Sequence, residues 1–238
     1  MNDRLEHATV GDLVASDFRR AGIFERHGID FCCGGRRSLG EACRLAAADP
    51  EAVLRDLRDL PPGDSEDDVA DWPIEQLIDH IESKHHSYVR AAMPRIAGYL
   101  TKLVAVHGAR HPELSLLEST FRHLRADFEQ HLVKEEEILF PYIRQLASNG
   151  NFGFRVSPFG SVENPIRMME REHRDAGDEM LIIRDLTCGY RAPSDGCTTY
   201  SVCLSELKAF EADLHRHVHL ENNVLFPKAV ALEQRRFQ

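Results

Sequence analysis

Residues 127–141 read DFEQHLVKEEEILFP, and residues 213–227 read DLHRHVHLENNVLFP. Aligned without gaps, they share Asp127/Asp213, His131/His217, Glu135/Glu221, Leu139/Leu225, Phe140/Phe226 and Pro141/Pro227 at an offset of 86 residues. A repeat of that length has room for a pair of helices, so the chain is predicted to hold duplicated helix pairs within one bundle. In each copy Asp, His and Glu fall at i, i+4 and i+8, one turn apart, which on a helix makes a single stripe. An imidazole and a carboxylate one turn apart can bind one metal ion or two adjacent ones. That donor set suits a borderline metal such as iron, manganese or zinc.

A single HxxxE pair occurs by chance on many helices; two aligned copies with matched upstream histidines are a far more specific signal. His86 precedes His131 by 45 residues and His173 precedes His217 by 44. Each half of the repeat then supplies one helix with a lone histidine and one with His plus Glu. The predicted ligand set is His86, His131, Glu135, His173, His217 and Glu221: four imidazoles and two carboxylates converging inside a four-helix bundle. Each carboxylate can bridge two metals, which leaves about two histidines per metal and positions free for an oxygen bridge and a small ligand. Two ferrous ions with two carboxylates carry a net charge of about +2, and so do two ferric ions with two carboxylates and one oxo group. Either redox state can therefore be buried at the same electrostatic cost. Zinc stays open as an alternative, because it accepts the same ligands.

The surrounding sequence reads as helices. Ile74, Leu77, Ile78 and Ile81 follow the i, i+3, i+4, i+7 pattern. Further long helices are predicted at about 113–147, 165–187 and 198–232, with a loop rich in Gly, Asn, Ser and Pro at 148–165. Pro141 and Pro227 should kink or end their helices. Residues 1–60 read as short helices, with Ser38 and Glu41 as a capping box and Asp49-Pro50-Glu51 as a helix start. No strand pattern appears. The expected fold class is all-α: a small N-terminal helical domain at 1–60, an acidic Pro/Gly linker at 61–73, and an antiparallel four-helix bundle at 74–238.

Lys plus Arg number 29 against 39 Asp plus Glu, a formal charge of −10, which argues against nucleic-acid binding or an anionic membrane surface. No apolar run is long enough to span a bilayer. The N-terminus is acidic with no apolar core of a signal peptide, and the six cysteines include no CxxC, so a reducing cytoplasmic setting is expected.

HHSYVRAAMP (85–94), HLVKEEEILFP (131–141), MEREHRDAG (169–177) and HVHLENNVLFPKA (217–229), together with IDFCCGG (29–35), resemble the Repair of Iron Centers family. In that family a short cysteine-bearing (ScdA-type) domain precedes a hemerythrin-like bundle. The resemblance covers nearly the whole chain and implies the same six ligands as the repeat. It implies two iron ions per chain in a μ-oxo-bridged centre with both glutamates bridging. The implied function is repair of iron–sulfur clusters damaged by nitric oxide or oxidants, by donating iron or removing bound NO. The implied partners are iron–sulfur client proteins and the diatomic ligands NO and O2, with a homodimer left open. Iron delivery fits such a role better than turnover catalysis, with NO reduction at the iron pair as a further chemistry. A hemerythrin-like O2 or NO carrier or sensor is the competing class; the N-terminal cysteines speak for repair. A ferritin-like oxidase is disfavoured, because such bundles use ExxH motifs and more carboxylates.

In Lys84-His85-His86, adjacent histidines compete for one ligand role, and repeat spacing favours His86. Asp127 and Asp213 could support an imidazole N–H or sit solvated; Glu172, about 100° around its helix from His173, is a weaker candidate for such support. His80, His85, His215 and His219 are expected at the surface or bundle edge. Cys32 and Cys33 are expected as accessible thiols that touch a client or cluster fragment. Cys43, Cys188, Cys197 and Cys203 are expected to be plain thiols.

Overall fold

The computed structural model describes residues 8–61, 69–148 and 159–237. Residues 62–68 of the expected linker and 149–158 of the expected loop lie outside them. Among the described residues there is no strand, only an isolated bridge between Thr9 and Ser38. Among the described residues no helix is long and apolar enough to cross a membrane. The chain forms two compact units, one of Met1–Ile78, Arg144–Glu163 and Arg216–Gln238, the other of Asp79–Ile143 and Asn164–His215. It passes between them four times, each time within a helix.

The first unit contains the short helices α1 (Val10–Ser16), α2 (Ala21–Arg26), α3 (Leu39–Leu45) and α4 (Pro50–Arg58). Each start is dictated locally. The Thr9 hydroxyl accepts from the Asp12 amide, the Ser38 hydroxyl from Glu41 at 3.3 Å, and the Asp49 carboxylate from Glu51 at 3.1 Å, ahead of Pro50 at the first helical position. Between α2 and α3 the Asp30 carboxylate accepts from the amides of Cys32 (3.1 Å) and Cys33 (2.9 Å), bending the chain into a tight turn.

The second unit is built on four long helices. Helix α5 (Ile74–His80) enters it and widens into a π turn at Ile81–His86 before α6 (Ser87–His107). Helix α7 (Glu113–Lys134) is followed by a π turn at Glu135–Leu139 and by α8 (Phe140–Ala147). Then come α9 (Glu163–Leu186) and α10 (Thr198–Leu220), the last followed by a π turn at Glu221–Leu225 and α11 (Phe226–Phe237) in the first unit. Pro141 and Pro227 therefore do not stop their helices. A proline ring collides with the carbonyl four residues back and cannot donate to it, and the wider π turn just before each proline accommodates that defect.

Cross-helix contacts close the four helices into a ring within this unit. The Thr101 hydroxyl donates to Glu118 (2.6 Å), the Lys134 ammonium to Glu172 (2.5 Å), Arg184 pairs with Glu211 (2.8 Å) and Arg95 with Glu206 (2.7 Å). Phe121 and Phe210, both fully buried, meet edge to face across the middle at 5.8 Å. The buried seams follow helical spacing: Met93, Ile96, Leu100 and Leu103 on α6; Leu117, Phe121, Leu124 and Phe128 on α7; Ile166, Met169, Ala176, Met180 and Ile183 on α9.

Candidate metal centre

The expected ligands occupy seam positions where the pattern calls for apolar residues. On α7, His131 follows Phe128 by three and Glu135 follows His131 by four; on α9, His173 stands four beyond Met169. His86, His131, Glu135, His173, His217 and Glu221 are each at most 1% exposed. Burying such groups without charge compensation is costly, so their grouping in a core points to a bound cation.

Within the second unit four of the six come together. The Nε2 atoms of His131 and His173 lie 3.0 Å apart. Glu135 Oε2 is 3.3 Å from His131 Nε2 and 3.5 Å from His86 Nε2. The other ring nitrogens fix the tautomers: His131 Nδ1 donates to Glu172 at 2.9 Å and His86 Nδ1 to Glu136 at 2.7 Å. With Nδ1 directed at an outer carboxylate, the inward Nε2 atoms of His86 and His131 face Glu135 Oε2, a buried nitrogen-and-oxygen donor set that fits a metal ion. In the first unit, His217 Nε2 lies 2.9 Å from Glu221 Oε1.

The outer carboxylates are anchored. Arg90 donates to both oxygens of Glu136, each at 2.7 Å. The hydrogen bond from His131, with help from Lys134, holds the Glu172 carboxyl down at about 2 despite partial burial. An open groove of about 410 Å³, lined by His123, Asp127, Lys134, Glu172 and Glu179, reaches His131.

Several expectations need correction. Glu172, ranked low because it points away from His173, is the carboxylate that holds His131 on the neighbouring helix; the 100° turn aims it at α7. Its counterpart for His86, Glu136, was not singled out, though it stands next to Glu135 in the EEE run. Of the two alternatives left open for Asp127 the structure shows the solvated one: its side chain is 72% exposed, with His123 at 3.7 Å. Asp213 does support an imidazole, but that of His85, which donates through Nδ1 at 2.9 Å. His85 and His219 are fully buried rather than at the surface. Only Cys33 is partly accessible; Cys32 is 9% exposed, and hydrogen bonding to Cys33, burial and Asp30 push its thiol well up.

The cysteine turn packs on the residues after Glu221, all in the first unit. The side-chain amide of Asn223 donates to the Cys32 carbonyl at 3.0 Å and to Phe31 at 3.3 Å, and Asn222 reaches Cys32 at 3.4 Å. A Cβ on Gly35 would stand 2.0 Å from Asn223 Oδ1, so the second glycine of the CCGG run allows this close approach. His219 lies between Phe18 and Phe31, at 6.1 and 5.8 Å, and desolvation lowers it to about 4.

An all-helical chain with buried imidazoles and carboxylates in its second unit defines a helical cation-binding protein. Residues 76–229 match the hemerythrin HHE cation binding domain, and residues 6–61 match ScdA_N, a domain of unknown function (DUF542). The chain belongs to the hemerythrin HHE cation-binding family. It is 33% identical to the iron-sulfur cluster repair protein YtfE of Citrobacter koseri over 94% of this chain and 97% of the relative. It is also 33% identical to the iron-sulfur cluster repair protein ScdA of Staphylococcus haemolyticus (92% and 96% covered). With YtfE of Escherichia coli it shares 32% (94% and 97% covered).

Proposed function

We propose that this chain is an iron–sulfur cluster repair protein whose six buried ligands, His86, His131, Glu135, His173, His217 and Glu221, serve one centre of two iron ions. The observation that carries the reading is the fully buried Glu135 carboxyl group flanked by the imidazoles of His86 and His131, each ring oriented by an outer carboxylate. The exact repeat of the His131–Glu135 pair as His217–Glu221 supports a matching half, with Glu135 and Glu221 as bridges and an oxo group between the irons. The relatives' names speak for repair over a carrier role.

When bound, the iron pair supplies redox-active metal that can be donated or can take up a diatomic ligand such as NO or O2. The protein's own residues do the rest. Glu172 and Glu136 hold the rings of His131 and His86 with lone pairs inward. Burial excludes water from the ligand atoms. Cys33, the partly exposed thiol of a turn tied by Asn222 and Asn223 to the segment carrying Glu221, touches the client or its cluster fragment. Partners are cytoplasmic proteins carrying damaged iron–sulfur clusters. Residues 1–60 and 74–238 form the two functional domains, joined by 61–73; the family matches, at 6–61 and 76–229, leave residues 62–75 between them.

Iron content and Mössbauer spectra of Glu135→Leu and His86→Ala test the reading. Loss of a bridge affects both irons and leaves a ferric pair with one oxo group and one carboxylate about one charge more positive. Glu135→Leu should therefore lose more iron than His86→Ala, together with magnetic coupling of whatever remains. A coupled pair retained in Glu135→Leu but not in His86→Ala overturns the bridging assignment. Wild-type protein holding one zinc and no iron overturns the function.

A further inference from the structure

The connection between α9 and α10 places a cysteine where the metal chemistry does not use one. Cys197 immediately precedes α10, and its carbonyl accepts from the amides of Tyr200 (2.9 Å) and Ser201 (3.2 Å), the N-cap arrangement. Its thiol is exposed. The sulfur thus stands at the N-cap position, at the positive end of a 23-residue helix.

From the end of α6, His107 brings Nε2 to 3.2 Å from Sγ. His107 is 4% exposed, and its Nδ1 has no hydrogen-bond partner among the described residues. A buried N–H without an acceptor is rarer and costlier than a bare acceptor, so the ring proton belongs on Nε2, aimed at the sulfur. The edge of the His107–Tyr200 ring contact (5.6 Å) fixes the imidazole. The other charged groups at this corner are paired: His111 with Glu113 and Asp195, both at 3.0 Å, and Arg110 with Asp195 at 3.2 Å. His107 lies 21 residues beyond His86 along one helical run, roughly 30 Å at 1.5 Å per residue, so this cluster is separate from the metal ligands.

We propose that Cys197 is the chain's reactive thiol and a modification site for hydroperoxides, its thiolate held by His107 and the N-terminus of α10. The thiolate sulfur attacks one peroxide oxygen; the S–O bond forms as the O–O bond breaks. Sulfur is oxidised by two electrons to the sulfenic acid, and the released hydroxide takes a proton from solvent to become water. The hydrogen bond from His107, followed by the backbone of Tyr200 and Thr199 at the helix start, lowers the thiol from 9.0 to about 7. At pH 7 about half is then thiolate, against about 1% for an ordinary thiol at 9. The lower intrinsic nucleophilicity of a weaker base takes back about eightfold, leaving a net gain of about sixfold.

The test treats the full-length metal-loaded protein with limiting hydrogen peroxide in the presence of dimedone and follows labelled peptides by mass spectrometry, with iodoacetamide in parallel. Cys188, the other exposed cysteine among the described residues, is the internal reference. Cys197 should label about six times faster than Cys188, and His107→Leu should remove most of that advantage without changing iron content. Labelling of Cys197 no faster than Cys188, or unchanged in His107→Leu, overturns the proposal. Should His107→Leu fail to fold by circular dichroism, the wild-type iodoacetamide profile decides: a midpoint near pH 7 supports the proposal, and one above about 8.5 overturns it.

Discussion

Replacing Glu172 by leucine separates a carboxylate that orients a metal ligand from one that merely decorates a helix. Glu172 accepts from His131 Nδ1 at 2.9 Å through one oxygen and from Lys134 at 2.5 Å through the other. Because the His131 hydrogen bond keeps it ionised down to about pH 2, it acts as an anion at every working pH. Removing it frees the ring to rotate, lets the proton move to the inward nitrogen and lowers ligand basicity. Loss of such a partner weakens metal affinity by about 10–100-fold, or about 1.4–2.7 kcal/mol. The carboxylate is 27% exposed, so water partly replaces it and the lower part of that range, about 10–30-fold, is expected. Glu172→Gln, which keeps an acceptor oxygen, should lose less. The assay is anaerobic titration of ferrous iron against a competing chelator, with circular dichroism to confirm folding. Asp127→Asn, a change at a 72% exposed residue on the same helix as His131, serves as control and should stay within about twofold of wild type. Equal affinity of Glu172→Leu and wild type, or an equal loss in Asp127→Asn, refutes the assigned role.

Phe210→Ala removes a fully buried ring packed on Phe121 and should cost about 3–5 kcal/mol, read as a lowered midpoint in denaturant melts. Gly35→Ala should destabilise by about 1–3 kcal/mol because its Cβ meets Asn223; combining it with Asn223→Ala should cost less than the sum of the single changes, measured by the same melts. The Asp17 carboxyl is held below its ordinary value, chiefly by hydrogen bonding to Arg19, so its stabilisation is present above about pH 4 and is lost as pH falls through the lowered value. Asp17→Asn should therefore cost up to about 1 kcal/mol at pH 6 and progressively less below pH 4, read from melts across that range. Iron should be released as pH falls below about 6.5, where imidazoles gain protons, while Glu172 is still ionised; full retention after dialysis at pH 4 would contradict a histidine-rich site.

Much of the architecture was legible because helices announce themselves through period and caps. Ile74 to Ile81, the Asp49-Pro50-Glu51 start and the 113–147 run all reappear as helices, since their apolar faces and capping side chains act within a few residues of one another. The residues that failed are those whose partners lie on other helices. Glu172 ranks low in the sequence and Glu136 carries no signal there, because a single sequence records spacing along one helix and not which neighbour a side chain faces across a bundle. His85 and His219 read as surface residues because histidine is usually part-exposed. Their burial depends on Asp213, 128 residues away, and on Phe18 and Phe31 in a distant turn. Cys197 carried no local signal, because its partner His107 stands 90 residues earlier.

The π turns show how the duplicated motif combines a ligand with a helix defect. In both copies the turn spans five residues, begins at the glutamate and ends two residues before the proline: Glu135–Leu139 ahead of Pro141, Glu221–Leu225 ahead of Pro227. A proline inside a regular helix leaves one carbonyl without its amide donor and forces its ring against that carbonyl. Widening by one residue relieves the clash, and it also rotates the following side chains relative to an ideal helix. Leu139 and Phe140 are thereby buried together with Glu135, and Phe140 stacks on His86 at 5.7 Å. The LFP ending shared by the two copies is therefore more than a helix-boundary signal. Proline sets the turn, the turn sets which residues face inward, and the inward aromatic ring closes one side of the cluster around Glu135. A third π turn, Ile81–His86, carries His86 without any proline after it in the same position, so a π turn in this bundle can place a buried histidine where no proline follows.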